Sequence, residues 1–247
     1  LSSNQINQII NETLKRLYED IEIFKNSPNF KFSEFWTRRA MSAPFQELVY
    51  QTILQEIPST CIWSSNVHLS RLFWTKPIWT NAHELRMIPT ALFDTKQEII
   101  DTMYDIDRRW MKHFPWLWIL LPDTYWTSFY YENCPKDIIQ NHNWTRFDSK
   151  DPLVAIPEYV NFLLENNVDP KTKIWIPSDW LDWIKASIIN DIHNKSLWNL
   201  SFWIGTNLSN NTKWTYPIPE KHWPFWSFSV VIKPSSIKRK SWEVVSC

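Results

Sequence analysis

The sequence predicts an α/β fold whose sheet is parallel and built from strands that alternate with helices. Two observations favour this class: short β-rich segments are followed by helical segments, and polar clusters stand where the strands end. Alternating strands and helices are typical of parallel sheets, and 247 residues are enough for a barrel-like closure. Ligands bind at the carboxyl ends of the strands in such folds, so the polar clusters are candidate site residues.

The first predicted element is an amphipathic helix over residues 4–25. Isoleucine and leucine recur there at three- and four-residue spacing with charged residues between them, which gives the segment one apolar face. These apolar positions are Ile6, Ile9, Ile10, Leu14, Leu17 and Ile21.

The rest of the chain alternates between short strands and helices. Helices are predicted over 43–56 and 67–73 from their composition and from the polar residues that precede them. The predicted strands lie at 31–35, 60–63, 117–121, 173–177 and 200–204.

Charge, hydropathy and cysteine content exclude several classes of function. The 26 basic and 26 acidic residues balance, so we expect no nucleic-acid partner. Apolar runs such as 116–121 are far shorter than the roughly 18 residues that a membrane-spanning helix requires. Three widely spaced cysteines argue against a disulfide framework and favour a reducing compartment, so we expect a cytoplasmic protein.

Glycine and tryptophan are present in abnormal numbers. The chain has one glycine and 18 tryptophans, whereas about 17 glycines are expected at this length. Glycine serves turns, helix ends and phosphate loops that other residues fit poorly. The surplus of tryptophan is therefore close to the deficit of glycine.

Two polar clusters lie in the first third of the chain. Arg38 and Arg39 follow the strand at 31–35, and paired guanidinium groups suit a carboxylate or a phosphate. A solvated basic turn is the alternative. His83 and Glu84 follow a short apolar segment, and such a pair suits proton or phosphoryl transfer. A structural histidine is the alternative there.

Two further clusters lie in the second half. Arg146 and Asp148 share one side of an extended segment, with Ser149 adjacent, so the arginine can hold a phosphate while the aspartate accepts sugar hydroxyls. A surface salt bridge is the alternative. The segment 201–207 predicts a strand that enters a phosphate loop, and it contains the only glycine, Gly205.

When selected tryptophans are read as glycine, six ordered segments resemble the nicotinate phosphoribosyltransferase family. The segments contain Phe-Trp-Thr-Arg-Arg, Trp-Thr-Asn-Ala-His-Glu, Pro-Asp-Thr-Tyr-Trp-Thr, Arg-Phe-Asp-Ser, Ser-Asp-Trp-Leu-Asp and Ser-Phe-Trp-Ile-Gly-Thr-Asn-Leu. A later segment at 228–233 is similar to the next strand of the family. The segments lie at 35–39, 79–84, 121–127, 146–149, 178–182 and 201–208.

Tryptophan replaces the glycine of the family in a systematic way. We interpret these positions as UGA codons that encode glycine in the source organism and that were translated here as tryptophan. The high asparagine, isoleucine and lysine content fits an AT-rich genome. The positions concerned are Trp36, Trp63, Trp74, Trp79, Trp126, Trp180 and Trp203.

The resemblance implies the irregular, TIM-like α/β barrel of type II phosphoribosyltransferases. Residues 1–247 would form the barrel domain of a longer chain, without the family's N-terminal domain. The family also implies a homodimer, in which an aromatic residue from the N-terminal part stacks on the pyridine ring across the interface.

The implied reaction joins nicotinate to 5-phosphoribosyl 1-diphosphate, releases pyrophosphate and consumes ATP with Mg²⁺, within NAD biosynthesis. By resemblance, His83 is the phosphorylated histidine and Arg38, Arg146 and Asp148 are catalytic. Asp148 and Asp179 would hold ribose hydroxyls or Mg²⁺. Further substrate contacts would come from Arg39, Asp123, Thr124, Ser149, Asp179, Trp203 as glycine, Gly205 and Thr206.

Three alternatives remain open at this point. A nicotinamide-using relative is the nearest, although the Thr37-Arg38-Arg39 form resembles the acid-using branch, which must balance a carboxylate. A tryptophan-rich module that stacks on carbohydrate is a second, and an inactive, mistranslated fragment is the third. A binding module would display its indoles on one exposed face, whereas here they stand at turns and strand ends.

Overall fold

The computed structural model describes residues 2–27, 29–35, 37–178, 181–194, 199–205, 208, 236–238 and 244–246. The chain divides into two compact units. Unit 1 comprises Leu1–Ile78, Trp180–Ser196 and Leu200–Val231, and unit 2 comprises Trp79–Asp179, Leu197–Asn199 and Ile232–Cys247.

Helices dominate the described residues. The α-helices are α1 (Ser3–Lys25), α2 (Ala43–Glu56), α3 (Val67–Leu72), α4 (His83–Leu92), α5 (Lys96–His113), α6 (Thr127–Asn133), α7 (Lys136–Asn141), α8 (Pro152–Glu165) and α9 (Trp183–Asn194). Short 3-10 helices are η1 (Thr37–Arg39), η2 (Pro122–Tyr125) and η3 (Pro170–Thr172).

The strands are short. They are β1 (Phe32–Glu34), β2 (Cys61–Ser64), β3 (Lys76–Pro77), β4 (Ile119–Leu120), β5 (Trp144–Phe147), β6 (Ile174–Pro177), β7 (Asn199–Leu200), β8 (Phe202–Ile204), β9 (Ser236–Lys238) and β10 (Val244–Ser246). Two four-stranded sheets have the orders β3-β2-β1-β8 and β4-β5-β6-β7, and β9 pairs with β10 in an antiparallel ribbon.

Unit 1 is built on a parallel sheet whose central strand, β1, pairs with β2 and β8. Helix α1 begins at a capping box in which Ser2 and Gln5 satisfy each other's backbone N–H groups. The buried face of α1 ends in Phe24, whose ring lies 4.3 Å from that of Phe30 and 4.4 Å from that of Trp183 on α9. Aromatic packing therefore forms the core of this unit.

Unit 2 is built on parallel strands β4, β5 and β6, which place three strand ends side by side. Strand β5 pairs with β6 from Trp144 opposite Ile174 to Phe147 opposite Pro177. A separate apolar cluster unites α5, α6 and α7 with β4. Its buried members are Ile100, Met103, Tyr104, Met111, Leu120, Tyr130 and Ile138.

The structure confirms the α/β class and the parallel sheets. Helix α1 matches the prediction over 4–25, and α2 has the predicted bounds. Each of the five predicted strands overlaps an observed one, although β2 extends one residue beyond the predicted end at 63. Closure into a barrel, and the assignment of 1–247 to one catalytic domain, stay predictions. No helix in the described part of the chain is long and apolar enough to cross a membrane.

Two of the tryptophans interpreted as glycine have a backbone that favours glycine. Trp74 has a φ of 56° and is 94% exposed, and Trp126 has a φ of 74° and is 82% exposed. A positive φ is costly for a bulky residue, and neither exposed indole gains a packed environment in return. This geometry supports the interpretation of these two positions as glycine.

Trp203 is buried, in contrast to the exposed Trp74 and Trp126. Its ring is buried in β8 and stacks on that of Phe35, with the two centroids 4.2 Å apart. Trp36 and Trp180 lie outside the described residues.

Candidate active site

Unit 2 gathers polar side chains from the ends of three adjacent parallel strands. Asp123 and Thr124 lie in η2 after β4, Asp148 follows β5, and Ser178 follows β6. His83 is the first residue of α4. Because β4, β5 and β6 are hydrogen-bonded neighbours that run in one direction, their carboxyl ends meet at one edge.

His83 is held from both sides of its imidazole ring. Its Nδ1 lies 2.9 Å from Oγ1 of Thr124, and its Nε2 lies 3.2 Å from Oδ2 of Asp148. Oδ1 of Asp123 is 3.9 Å from the same Nε2. The side chain is 29% exposed, so the ring is accessible to a ligand although its orientation is fixed.

Asp148 is the centre of a wider network. Its Oδ1 accepts hydrogen bonds from Nη2 of Arg146 and from the Ser178 hydroxyl. Burial alone would raise the pKa of Asp148, but the bonds from His83 and Ser178 and the Arg146 charge hold it well below its usual value. Asp148 is therefore a carboxylate at neutral pH.

Arg146 is fixed by three contacts. Besides its bond to Asp148, its Nε donates to Oγ of Ser178 at 2.9 Å and its Nη1 donates to Oγ1 of Thr80 at 3.3 Å. A planar guanidinium held in this way is preorganised for a carboxylate or a phosphate.

The residues present fit a divalent cation. The Asp123 side chain is 5% exposed, its Oδ2 accepts from Ser149, and its Oδ1 is buried without a hydrogen bond. One ligand atom from each of His83, Asp123 and Asp148 lies within 4.8 Å of the others. Carboxylate oxygens are the ligands that Mg²⁺ prefers, so an orphaned carboxylate oxygen here suits that ion.

The structure brings together most of the predicted site residues that belong to unit 2: His83, Asp123, Thr124, Arg146, Asp148 and Ser149. Glu84, considered as an orienter of His83, lies beside it in the first turn of α4. The imidazole contacts described above come instead from Thr124, Asp148 and Asp123.

The other predicted residues belong to unit 1. Arg38 and Arg39 form the end of η1, where Arg38 is exposed and Arg39 is half-buried. Gly205 follows β8, and a Cβ there would lie only 3.1 Å from the carbonyl oxygen of Phe35. Gly205 therefore occupies a position of close backbone approach. Asp179 and Thr206 lie outside the described residues.

Sequence reasoning missed Thr80 and Ser178 as site residues, although both belong to the resembling segments. Their hydroxyl oxygens contact Arg146 from positions 66 and 32 residues away in the chain. A hydroxyl at the end of a predicted strand, as at Ser178 after β6, is the signal that could have identified one of them.

A parallel α/β fold with histidine, carboxylate and guanidinium groups at its strand ends is typical of enzymes that bind phosphorylated ligands. A profile of the nicotinate phosphoribosyltransferase (NAPRTase) family matches residues 30–241. The chain belongs to this family.

Solved structures agree with that assignment. A nicotinate phosphoribosyltransferase from Vibrio cholerae is 28% identical, with a TM-score of 0.72 over 86% of this chain and 49% of its own. The enzyme of that name from Porphyromonas gingivalis is 24% identical and shares the fold, with a TM-score of 0.78 over 98% and 58% of the two chains. The chain thus spans about half the length of the structures it matches.

Proposed function

We propose that the protein carrying this chain is an ATP-coupled nicotinate phosphoribosyltransferase. It would form nicotinate mononucleotide and pyrophosphate from nicotinate and 5-phosphoribosyl 1-diphosphate, within NAD biosynthesis. Family membership supports the reaction class. The observation that carries the proposal is His83, whose ring is fixed between Thr124 and Asp148 yet accessible.

His83 would couple ATP hydrolysis to the transfer. Because the ionised Asp148 accepts a hydrogen bond from Nε2–H, Nδ1 keeps its lone pair beside the Thr124 hydroxyl. Nδ1 would form a bond to the γ-phosphorus of ATP while the bond from that phosphorus to the ADP oxygen breaks. Water later cleaves the N–P bond and restores the imidazole. Because Asp148 can only accept, it would select the nucleophilic tautomer, and the Thr124 hydroxyl would then donate to Nδ1 until ATP binds.

Asp123 and Asp148 are the residues that would hold Mg²⁺, and Asp179 is a further proposed contact. Bound there, the ion would offset the charge of the phosphate oxygens. Without it, two carboxylates beside Nε2 would repel an incoming phosphate, since Asp148 is ionised at neutral pH.

The transfer itself would be an exchange at the anomeric carbon of the ribose. The pyridine nitrogen forms a bond to that carbon while the carbon–oxygen bond to pyrophosphate breaks, through an oxocarbenium-like state. Positioning and charge stabilisation dominate such a step. Arg146 is the fixed cation of the described site, and Asp148 would accept ribose hydroxyls.

The family resemblance assigns further substrate contacts to residues of unit 1. Arg38 would pair with the nicotinate carboxylate or the pyrophosphate, with Arg39 beside it, and the Thr37-Arg38-Arg39 form favours nicotinate over nicotinamide. Position 203 as glycine, with Gly205 and Thr206, would cradle the 5-phosphate. A cytoplasmic homodimer belongs to the same proposal.

The proposal is tested by measuring nicotinate mononucleotide and ADP together, with and without ATP, for the protein and for His83→Ala. We expect wild-type protein to form mononucleotide and ADP in coupled amounts. His83→Ala should lose ATP hydrolysis and retain only an ATP-independent rate, because no nucleophile replaces the imidazole.

His68→Ala is the matched control, since His68 is an exposed histidine on α3 and should have no effect. Unchanged ATP coupling in His83→Ala would contradict the role of His83. Nicotinamide serves as the competing substrate, and its preference over nicotinate would contradict the substrate assignment.

A further inference from the structure

A buried charged cluster lies one helical turn from His83. Arg86 follows on α4, and its guanidinium forms an ion pair with Asp107 of α5, with both side chains 1% exposed. The Tyr130 hydroxyl donates to the second carboxylate oxygen of Asp107 at 2.7 Å. The guanidinium carbon of Arg86 also lies 5.4 Å from the centre of the Tyr130 ring.

Burying this ion pair costs desolvation free energy that apolar side chains in the same place would not cost. Burial opposes the charge of Arg86, but Asp107, Tyr130 and Asp123 raise its pKa, so the guanidinium stays charged. Its Nε and Nη1 atoms are buried without hydrogen bonds. Apolar residues can often replace a buried ion pair without loss of stability. The cluster is therefore better explained by a role in fixing the position of α4 against its neighbours than by a contribution to stability.

The cluster is connected to the candidate site through Tyr125. Its hydroxyl donates a hydrogen bond to the main-chain carbonyl oxygen of Arg86. Tyr125 ends η2, the segment that also carries Asp123 and Thr124. Helix α4 and η2 are therefore joined at two points: at His83 through Thr124, and one turn later at Arg86 through Tyr125.

We propose that Arg86, Asp107 and Tyr130 are positioning residues that act through Tyr125 to fix η2 against the first turn of α4. The ion pair fixes the rotation of α4 at Arg86, and the Tyr125 bond carries that position to η2. Thr124 then meets Nδ1 of His83, which leaves Nε2 facing Asp148. This inference rests on the proposed function, because it assigns the cluster a role in phosphorylation of His83.

Tyr125→Phe tests the proposal with the smallest change, since it removes one hydroxyl from a half-buried ring and leaves the ion pair intact. Tyr104→Phe is the matched control. The Tyr104 hydroxyl lies in the same apolar cluster and donates to the carbonyl oxygen of Tyr130 at 2.6 Å. That carbonyl belongs to α6, so this bond does not involve η2. Both variants lose one tyrosine hydroxyl bonded to a carbonyl oxygen.

Two readouts separate positioning from stability. The first is the ¹⁵N chemical shift of the two His83 ring nitrogens, which reports the tautomer without any turnover. The second is the single-turnover rate of ATP-dependent His83 phosphorylation between pH 6 and 9. We expect Tyr125→Phe to shift the His83 resonances toward a mixture of tautomers and to slow phosphorylation about tenfold, with an altered pH profile. Tyr104→Phe should resemble wild type in both.

Unchanged His83 resonances in folded Tyr125→Phe would overturn the proposal, and so would equal effects of the two variants. If wild-type protein is not phosphorylated, the proposed function fails, whereas the ¹⁵N readout still decides whether Tyr125 positions His83. Arg86→Met paired with Asp107→Leu provides a second variant that removes both charges together. It should fold and show the same loss of tautomer preference, and wild-type resonances in it would contradict the role of the ion pair.

Discussion

At the scale of single residues, the sequence identified the groups that carry chemistry better than it identified their partners. His83, Arg146 and Asp148 stood out because their residue types and spacing suit phosphate chemistry. The residues that orient His83 lie 41 and 65 positions away along the chain, at Thr124 and Asp148. Only strand pairing brings such distant residues together, and no local pattern encodes a contact of that range.

The backbone at Trp74 and Trp126 gives a prediction about stability. Trp74→Gly and Trp126→Gly should each raise the free energy of unfolding by about 1 kcal/mol, because relief of the positive-φ strain outweighs the added freedom of the unfolded chain. The exposed indoles contribute little packing that could be lost. Urea denaturation of each variant measures the change.

Trp116→Gly is the matched control. Trp116 is 62% exposed but is not among the described non-glycine residues with positive φ. The same substitution should therefore be neutral or destabilising there. A loss of stability in Trp74→Gly and Trp126→Gly comparable to that in Trp116→Gly would contradict the strain argument.

At the scale of elements, prediction succeeded where a local signal was complete. Helix α2 begins after Ser42, whose hydroxyl caps the N–H of Phe45, and its bounds were predicted. Strand β3 was missed because two residues cannot show an alternating pattern. Helix α8 was also missed, since Pro157 within it is a residue that normally argues against a helix.

The junction of α7 and α8 gives a prediction about pH. His142 caps α7, and its ring is bonded to the carbonyl of Ile138 and to the Tyr159 hydroxyl on α8. Burial, assisted by the charge of Lys173, lowers the pKa of His142 to about 3. The unfolded chain takes up this proton near the ordinary value of 6.5, before the folded chain does, so stability should fall as the pH falls from about 6.5 toward 3.

Chemical denaturation between pH 4 and 6 measures this effect in wild type and in His142→Gln. The free energy of unfolding should change less steeply with pH in the variant than in wild type. The difference should be up to about 1.4 kcal/mol per pH unit, which corresponds to one proton. His68→Gln, at an exposed position, should keep the wild-type slope. Equal slopes in wild type and His142→Gln would show that His142 is protonated in the folded protein.

At the scale of the whole molecule, the order of six short segments was more informative than composition. Each segment alone had a bland alternative, whereas their order matched the family to which the chain belongs. The parallel α/β class also followed from alternation of elements. Barrel closure and dimerisation depend on contacts that local patterns do not encode. For dimerisation the sequence offered only the family resemblance, and for barrel closure it offered that resemblance and a sufficient chain length.

We propose that the protein makes nicotinate mononucleotide and has glycine at positions written as tryptophan. The most direct test is to purify the native protein, determine residues 74 and 126 by peptide mass spectrometry, and measure product from nicotinate, 5-phosphoribosyl 1-diphosphate and ATP. We predict glycine in the peptides and nicotinate mononucleotide as product. Tryptophan at both positions would contradict the recoding, and absence of the mononucleotide from folded native protein would contradict the proposed activity.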